Sequence, residues 1–519
     1  MRKNRSRRCR SKWIRISIAV STMLPIVLFA LNIPAAASGS RIGGTLTFGT
    51  ESEFAGFEVI KFASRLAING SIAANTVMEP LFRLDSEENL VPVLGLSAEA
   101  ADGGKLWTVK LRKGVSFHDG TAFTADAVVS HWRRMLDPAN KFRGRSALGA
   151  IVAVEKTDEH TVAFRLKHPW LPFQRTLGST RTLANLIPSP KAVEQGIQSR
   201  APVGTGPFRF KQWISGDRFV VVKNPDYWQK GRPYLYEIVF RSLVDPQTRY
   251  ASLQSGQVDM IWMDRGNLIR KAEKDPTLAV HRSEDNGAEI FILNTARPPL
   301  DDINVRRALA HANNQALQVK MAYQDSIPVV THPFGADFQC ADDGYLVYDP
   351  ASARKLNGNH GQRIELELLH SSSKRGRDIG EITQQLLKDV GIQATPVGLE
   401  FGPVVKKVIS GDYQVSTWRI SPRPDQGPAL FRALHSASRA NFSRYKSPEM
   451  DELLLAQRME TDPIKRQEIL CRIARQINQD VPLIYRGGMR SHVITRTGVK
   501  GLTDMQYGIV RLTEVWVEP

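Results

Sequence analysis

Short apolar runs separated by polar turns divide this chain into alternating strand and helix patterns. The run Ile290–Leu293 is apolar throughout, with β-branched and aromatic members, which is typical of a strand buried on both faces. Loop-prone Asn286-Gly287 precedes this run, and Pro298-Pro299 follows it. Alternation of apolar and polar residues predicts half-buried strands at Leu106–Arg112 and Arg363–Leu369.

Helical patterns flank these strands. The predicted helices cover Ile68–Val77, Leu300–Tyr323, Asp378–Val390, Glu449–Met459 and Lys465–Asn478. A mixed α/β array therefore lies on each side of Ile290–Leu293. We interpret this run as the first of two crossings between two lobes, with the second crossing near Val481–Arg486. A ligand would then bind in the cleft between the lobes.

The first 37 residues have the pattern of a secretory signal. A basic region covers Arg2–Arg15, an apolar stretch covers Ile16–Ile33, and small residues follow at Pro34–Ser38. A membrane anchor is the alternative. Pro25 and the small residues after the apolar stretch disfavour an anchor, as does the lack of a basic flank after that stretch. We therefore expect export followed by cleavage.

The length and the charge of the chain limit the classes of protein to which it can belong. A chain of 519 residues is too long for one hydrophobic core, so we expect more than one domain. Charged residues make up 24% and hydrophobic residues 42%, which is ordinary for a soluble globular protein. The net charge of +18 falls to +10 once the eight basic residues of the first 37 are removed. The remaining surplus could favour anionic partners, but no long basic block follows, which favours a scattered solvated surface.

The three cysteines leave one question of pairing open. Cys9 lies in the predicted signal, so it cannot carry a lipid after cleavage. Cys340 and Cys471 remain for an oxidising compartment. They could form a disulfide, but Cys471 lies in an apolar helical pattern and could equally be a buried free thiol.

The segment from residue 107 to residue 128 carries a family resemblance. Trp-Thr-Val-Lys-Leu-Arg-Lys-Gly-Val-Ser-Phe-His-Asp-Gly-Thr, followed by Phe-Thr-Ala-Asp-Ala-Val, closely resembles the signature of the extracellular solute-binding proteins of family 5. These are the peptide- and nickel-type binding proteins of ABC importers. Further blocks follow in the family's order: Pro202–Phe208, Lys223–Trp228, Asn294-Thr295, Pro298–Asp302, Val305–Leu309, Tyr348–Pro350 and Val390–Ile392.

The resemblance implies an α/β fold, the two-lobed periplasmic-binding-protein fold of type II, with an extra subdomain in the first lobe. Two crossing strands form the hinge of this fold. After the signal at residues 1–37, we expect a first lobe over 38–285 and 486–519, with the inserted subdomain at about 82–200. The second lobe covers 296–480, and the hinge covers 286–295 and 481–485.

The resemblance also places the ligand site at Val415–Trp418 and the loop that follows. In peptide-binding members a Trp is followed, three residues on, by an Asp that pairs with the free ammonium of the peptide. Here Trp418 is followed by Ser421 at that position, which puts recognition of a free N-terminus in question. The alternative for Trp418 is a core aromatic at the end of a strand.

Two charged residues of the same loop are candidates for ligand binding. Asp425 replaces the missing carboxylate if the loop is shifted. Arg423 suits a ligand carboxylate, because a guanidinium can donate two parallel hydrogen bonds. Alternatively, the two side chains pair with each other on the surface.

Two other segments enter the predicted site through the resemblance. The loop Glu51–Glu58 forms the opposite wall in the family, so Phe54 and Phe57 either line the cleft or pack inside the lobe. In dipeptide binders, an Arg ahead of the helix that matches Asp378–Val390 binds the ligand carboxylate. Arg375 and Arg377 both lie there, and Arg375 is our candidate for this role.

Two alternative functions remain. Ser371 to Lys374 fits the Ser-x-x-Lys pattern, and Arg496-Thr497-Gly498 resembles Lys-Thr-Gly, so an exported serine acyl enzyme of the penicillin-interacting type is one alternative. The other is binding of a chelated metal such as nickel. The 11 His are scattered without close metal-ligand spacing, so the chelator would have to supply the ligands.

Together these patterns predict a periplasmic substrate-binding protein of an ABC importer, and no enzyme. We expect it to capture short peptides or related small solutes in the interlobe cleft. It would deliver them to membrane permease subunits driven by a cytoplasmic ATPase. We expect a monomer that uses no cofactor, binds no nucleic acid and is not a lipoprotein.

Overall fold

The computed structural model describes residues 41–518 apart from 63–67, 86–88, 143–144, 180–182, 336–337, 362 and 504. The predicted signal at residues 1–37 lies outside the described residues. Within the described ranges, none of the helices combines the length and the apolar character that a membrane crossing demands.

The strands of the described chain are short apart from two long ones. They are β1 (Thr45–Thr50), β2 (Phe82–Leu84), β3 (Leu90–Pro92), β4 (Gly95–Ala101), β5 (Leu106–Leu111), β6 (Ile151–Asp158), β7 (Thr161–Leu166), β8 (Phe208–Ile214), β9 (Arg218–Lys223), β10 (Glu237–Ser242), β11 (Met260–Met263), β12 (Leu278–Leu293), β13 (Glu365–Ser371), β14 (Gln393–Leu399), β15 (Val415–Ile420), β16 (Leu483–Arg496), β17 (Val499–Lys500), β18 (Met505–Gln506), β19 (Ile509–Val510) and β20 (Trp516–Val517).

The α-helices pack on and between the sheets. They are α1 (Val59–Phe62), α2 (Ile68–Val77), α3 (Ala125–Leu136), α4 (Phe173–Leu177), α5 (Pro190–Glu194), α6 (Pro246–Gln254), α7 (Gly266–Glu273), α8 (Ile303–Ala312), α9 (Gln315–Ala322), α10 (Pro350–Asn359), α11 (Lys374–Lys388), α12 (Phe401–Ser410), α13 (Gly427–Leu434), α14 (Pro448–Met459) and α15 (Pro463–Asp480).

The predicted helix over Leu300–Tyr323 is wrong as a single element, because the structure divides it into α8 and α9. Asn313 leaves the helical conformation, and Asn314 begins a new helix by accepting a hydrogen bond from the amide of Leu317 at 2.9 Å. Asparagine side chains compete for backbone donors, which favours a cap over a continuous helix. The sequence pattern missed this break because apolar residues recur on both sides of it.

A ten-stranded sheet forms the framework, in the order β14-β13-β15-β12-β16-β11-β1-β10-β9-β8. The long strands β12 and β16 lie in its middle and pair antiparallel. On one side β1 runs parallel to β10 and β11, and on the other side β13 runs parallel to β14 and β15. Because β11 is antiparallel to β16 and β15 is antiparallel to β12, the carboxyl ends of both parallel sets point towards the middle of β12 and β16.

The two long strands are the links between the halves of the sheet. Leu278–Asp285 pairs with Met489–Arg496, and Ile290–Ile292 pairs with Leu483–Tyr485. The register shifts between Asp285 and Glu289, opposite Gly487. The second crossing strand is therefore much longer than the predicted segment 481–485.

Buried apolar side chains divide the chain into two lobes. Two clusters draw on residues before 279 and after 492, and they include Leu46, Phe48 and Val493. Two further clusters lie wholly within residues 288–485, around Leu293 and Tyr485. Residues 41–519 nevertheless form one compact body, because the central sheet is continuous through both lobes. The prediction of a two-lobed α/β fold is thus confirmed.

A separate four-stranded antiparallel sheet, β4-β5-β7-β6, lies within the first lobe. Helix α3 packs on β6 and β7. Its Trp132 is buried, and its ring meets the edge of Phe164 at 5.5 Å between centroids. This sheet occupies residues 95–166, within the segment in which we expected the inserted subdomain.

The open question about the cysteines is resolved in favour of a disulfide. Cys340 is bonded to Cys471, which lies on α15. The bridge joins the segment ahead of α10 to the last helix of the second lobe across 131 residues of sequence.

Candidate functional site

The two lobes meet where the carboxyl ends of the two parallel strand sets converge, and we call this region between the lobes the crevice. From the first lobe, β1 leads into the loop Glu51–Glu58, and β11 leads into Asp264-Arg265. From the second lobe, β13 leads into the start of α11, and β15 leads into residues 421–426. In open α/β sheets, ligands bind outside the carboxyl ends of the strands. We therefore take this crevice as the candidate site.

A buried arginine forms the floor of the crevice. Arg486 on β16 is 2% exposed, and its Nη2 donates to Glu289 Oε2 at 2.8 Å. Its Nε donates to the carbonyl of Ile290 at 3.1 Å, and its Nη1 donates to the hydroxyl of Tyr323. Burial raises the pKa of Tyr323, so this hydroxyl stays protonated at neutral pH. A buried guanidinium needs such partners, and Glu289 supplies the balancing charge.

Trp418 lies beside this floor, on β15 opposite Ile290 of β12. Its ring is half-buried and meets the edge of Phe442 at 6.0 Å between centroids. Its carbonyl accepts a hydrogen bond from Arg486 at 3.4 Å. One side of the Trp418 ring is therefore packed, as expected for a core aromatic at the end of a strand. The rest of the side chain is partly exposed at the end of β15.

A hinge-strand asparagine holds the loop after β15 in place. Asn286 Oδ1 accepts hydrogen bonds from the amide of Arg423 and from Nε2 of Gln426, both at 2.8 Å. Asn286 Nδ2 donates to the carbonyl of Arg423 at 2.7 Å. Gln426 also donates to the carbonyl of Ser421 at 3.2 Å. The loop with the predicted ligand residues is thus attached to the crossing strand.

The structure argues against Asp425 as a carboxylate for the ligand. The Asp425 side chain is only 5% exposed, and its Oδ1 lies 2.8 Å from Nη2 of Arg466 on α15. Its Oδ2 accepts a longer hydrogen bond, 3.4 Å, from Nε1 of Trp170 in the first lobe. Arg175 of the first lobe also donates to the carbonyl of Pro424 at 3.2 Å. This part of the loop pairs with the protein itself.

Arg375 lies in the first turn of α11 and reaches across the crevice. Its Nη2 lies 3.2 Å from Asp264 Oδ2 and donates to the main-chain oxygen of Asp264 at 2.5 Å. Its guanidinium is 5.2 Å from the ring centroid of Tyr323. Asp264 follows β11 of the first lobe, so this ion pair joins the two lobes.

Phe54 and Phe57 pack inside the first lobe, which is the second of the two outcomes considered above. Phe54 is 6% exposed and Phe57 is fully buried. Both rings contact Phe219, at 5.5 and 4.7 Å between centroids, and both meet the edge of Trp213. Their apolar rings stabilise this lobe, and we leave them out of the site.

The Ser-x-x-Lys match does not form a catalytic pair. The Nζ of Lys374 lies 2.8 and 3.0 Å from the two carboxylate oxygens of Asp378, one turn along the same helix. The hydroxyl of Ser371 instead shares a hydrogen bond of 2.8 Å with Ser373. An activated serine needs a base within hydrogen-bond reach, and Lys374 has another partner.

Within the described part of the chain, we find no further candidate site, either for a metal ion or for catalysis by His118. Across these residues, no three His, Cys, Asp or Glu side chains group as a metal site. His118 contacts the carbonyl of Gly206 through Nε2 at 2.9 Å, and burial lowers its pKa to about 4. This histidine is therefore neutral at neutral pH and has a structural contact with the backbone.

Sequence reasoning missed Asp264, Asn286, Glu289, Tyr323 and Arg486 as residues of the crevice. Asp264 had an available signal, because it directly follows the apolar strand Met260–Met263. No sequence signal marked Arg486 as a buried residue, since an arginine next to an apolar run is usually exposed.

The chain is similar to known proteins over most of its length. The family model described as bacterial extracellular solute-binding proteins, family 5, matches residues 89–442. The chain is 29% identical to the glutathione-binding protein GsiB of Escherichia coli strain K12 over 454 residues, covering 82% of this chain and 86% of that protein. It is 27% identical to di/tripeptide-binding protein 2 of Pseudomonas aeruginosa over 492 residues, covering 88% and 91%.

Solved structures share the two-lobed fold of type II. The periplasmic binding protein DppA of Helicobacter pylori, in complex with the peptide STSA, superposes with a TM-score of 0.80 at 24% identity, covering 92% of this chain and 99% of that one. NikA of Brucella suis, in complex with Fe(III)-EDTA, has a TM-score of 0.80 at 20% identity, covering 90% and 99%. The predicted fold class and the resemblance that led to it are confirmed.

Proposed function

Because this chain belongs to the bacterial extracellular solute-binding proteins of family 5, we propose that it captures a short peptide or a related small solute in the interlobe crevice. It delivers this solute to the membrane permease of an ABC importer. The observation that carries the proposal is the meeting of both parallel strand sets at one crevice lined with charged side chains. The names of the relatives, which bind glutathione and di- or tripeptides, support peptides as the class of solute.

The capture step is closure of the two lobes. We place the first lobe at 38–285 with 486–519, the second at 296–480 and the hinge at 286–295 and 481–485. The register shift between Asp285 and Glu289 supports this hinge, because a break in pairing lets crossing strands bend. A ligand that contacts both lobes favours the closed state over the open one.

The ligand-contact residues that we propose are Trp418, Ser421, Arg423 and Arg375. Trp418 offers an apolar surface, and the two arginines offer donors for a carboxylate. The protein acts by binding alone, as a monomer, after its signal peptide is cleaved and without a lipid anchor.

Mass spectrometry of the solute that co-purifies with the exported, natively folded protein tests the proposal. We expect a small peptide or peptide-like solute that binds again with a saturable isotherm after removal. We also expect the radius of gyration from X-ray scattering to fall when this solute is added. A chain that retains no solute, binds no peptide or chelated metal from a panel and does not compact would contradict the function.

A further inference from the structure

Helix α7 of the first lobe begins without a side-chain cap from its own segment. Its N-cap residue is Arg265, which makes no capping hydrogen bond, and a guanidinium has no acceptor to offer. The first amides of an α-helix have no partner within the helix. Leu268 and Ile269 fix α7 in a core cluster of the first lobe. An acceptor for the first amides of α7 must therefore come from another segment.

The second lobe supplies this acceptor. The Oε1 atom of Gln324, just after α9, accepts a hydrogen bond from the amide of Asn267 at 2.7 Å. The main-chain oxygen of Gln324 accepts a second hydrogen bond from Nη1 of Arg270, about one turn further along α7. Tyr323, next to Gln324, is buried in a core cluster of the second lobe. The cap of α7 is thus provided across the boundary between the lobes.

The backbone after α9 takes an uncommon path at this contact. Gln324 and Asp325 have φ angles of +55° and +60°, in the left-handed region that residues other than glycine rarely adopt. The amide of Asp325 donates to the carbonyl of Val319 at 3.0 Å, which holds the turn against the end of α9. Left-handed residues of this kind persist where surrounding contacts stabilise them. The two hydrogen bonds with α7 are such contacts for Gln324.

The close approach of the two lobes at this point requires a glycine. Gly266 is buried, and a Cβ atom added to it would lie 2.6 Å from the main-chain oxygens of both Tyr323 and Gln324. This distance is too short for a carbon atom, so the two segments would have to move apart. The φ angle of Gly266 lies outside the left-handed region. The need for glycine therefore comes from the opposite lobe and not from the local backbone.

We propose that Gln324 and Gly266 form a closure latch, in which the second lobe caps helix α7 of the first lobe when the lobes are closed. The proposal rests on the hinge closure described above and names a contact that controls it. Opening the hinge takes the acceptor away from Asn267 and exposes the first amides of α7 to water. Loss of a helix cap corresponds to about a fivefold change in an equilibrium constant. The latch therefore raises the ratio of closed to open ligand-free protein by about fivefold.

The latch contains none of the side chains that we propose to contact the solute. It acts on the equilibrium between the open and the closed protein, whatever the solute is. A solute that binds the closed state benefits from every increase in the closed population. Weakening the latch should therefore raise the Kd of such a solute, by no more than about fivefold.

Hydrogen exchange of the amide of Asn267 in the ligand-free mature chain measures the latch directly. This amide precedes the first intrahelical hydrogen bond of α7, so its protection depends on Gln324. Gln324→Ala should raise its exchange rate by about fivefold or more. Gln385→Ala is the matched control, since Gln385 donates to Asp389 at 2.7 Å within the second lobe. This control should keep the parental exchange rate at Asn267.

Gly266→Ala tests the close approach separately, because it leaves the side chain of Gln324 intact. The added Cβ should hold the lobes apart, so X-ray scattering should show a larger radius of gyration for the ligand-free variant than for the parent. Gln324→Ala should also increase this radius. Gly402→Ala is the matched control: Gly402 lies in the first turn of α12, where an added Cβ meets nothing within 4 Å. Circular dichroism should show all four variants folded.

Two results would overturn the latch. The first is an exchange rate at Asn267 that Gln324→Ala leaves unchanged. The second is a parental radius of gyration for both Gln324→Ala and Gly266→Ala, because a faster exchange without opening would mean that the contact is only a local cap.

Solute capture is judged separately from the latch. If the parent compacts when its co-purified solute is added, but the latch variants have the parental radius without solute, the latch fails and capture stands. If no solute binds, the capture function fails. Exchange and scattering of the ligand-free protein then still decide whether the latch holds the lobes together.

Discussion

At the scale of single residues, Glu79 is a buried carboxyl group of the first lobe that makes three side-chain hydrogen bonds. It is 5% exposed and accepts hydrogen bonds from the hydroxyl of Tyr227 at 2.7 Å, from Thr205 at 2.9 Å and from Nε1 of Trp228 at 3.0 Å. Burial raises its pKa above the ordinary 4.5, and the three hydrogen bonds oppose this only in part. The side chain ties the end of α2 to the segments around β8 and β9.

The raised pKa of Glu79 predicts a pH dependence of stability. The folded protein holds this proton in a range where the unfolded chain has released it, so the contribution to stability is full below pH 4.5 and is lost as pH rises through the folded pKa. Glu79→Gln keeps a neutral amide of the same shape. We expect the variant to gain stability relative to the parent between pH 5 and pH 8, by on the order of 1 kcal/mol.

Urea unfolding at about pH 5 and pH 8 measures the difference in stability between Glu79→Gln and the parent protein. Glu99→Gln is the control, because the Glu99 side chain is 66% exposed and lies 3.8 Å from Lys110. An equal pH response of the Glu79 and Glu99 variants would contradict the assignment of the effect to burial.

At the scale of elements, the close approach of β12 to the end of β15 depends on a glycine. Gly287 has φ +94°, and a Cβ atom there would lie 2.3 Å from the carbonyl oxygen of Ile420. Glycine adopts this left-handed conformation without cost, and here it also admits a neighbouring backbone. The same contact holds the crossing strand beside the loop that follows β15.

Gly287→Ala should therefore cost about 3 kcal/mol or more of stability, since the backbone of Ile420 must move as well as the glycine. Gly216→Ala separates the two causes. Gly216 also has a positive φ, +77°, but a Cβ there meets nothing within 4 Å, so we expect a loss of only about 1 kcal/mol. Chemical denaturation of both variants tests the contrast, and similar losses would show that the contact with Ile420 does not matter.

The disulfide between Cys340 and Cys471 is a second feature that connects elements distant in the sequence. It closes a long loop between Cys340 and the helix α15, which restricts the unfolded chain. Replacing both cysteines by serine should lower the free energy of unfolding of the second lobe by about 2–4 kcal/mol. Denaturation followed by a probe in that lobe measures the loss. An unchanged midpoint would mean that other contacts already hold the segment.

At the scale of the whole molecule, hydrogen bonds join the first lobe to the loop after β15 in the second lobe. Arg175 on α4 donates to the carbonyl of Pro424, and Trp170 donates to Asp425. Both donors belong to the first lobe, and both acceptors belong to the loop after β15 in the second. A hydrogen bond of this kind is worth about 1 kcal/mol.

Arg175→Gln should shift the ligand-free protein towards the open state, by about fivefold in population, because the contact exists only when the lobes touch. X-ray scattering should show a larger radius of gyration without ligand and the parental value with saturating ligand. Arg165→Gln is the control, since Arg165 pairs with Glu155 inside the same lobe. An unchanged radius for Arg175→Gln would remove this contact from the closing mechanism.

Local patterns predicted much of the framework. Helix α2 matches the expected Ile68–Val77, and α14 and α15 extend the expected helices by only one or two residues at their ends. The break at Asn313-Asn314 and the full length of β16 escaped prediction. A cap competes with helix continuation over a few residues, and the extent of a strand depends on partners that are distant in the sequence.

Several of the elements, the two-lobed class and the family follow from the sequence alone, because periodicity, turn residues and sequence blocks are local properties of the chain. The contacts of the charged residues in the crevice were decided only by folding. The pairing of Asp425 with Arg466, the contact of Asp264 with Arg375 and the burial of Phe54 and Phe57 each join segments that lie far apart in sequence. Electrostatic energy and burial depend on distance in space, so only the tertiary structure decides which side chains a ligand can meet.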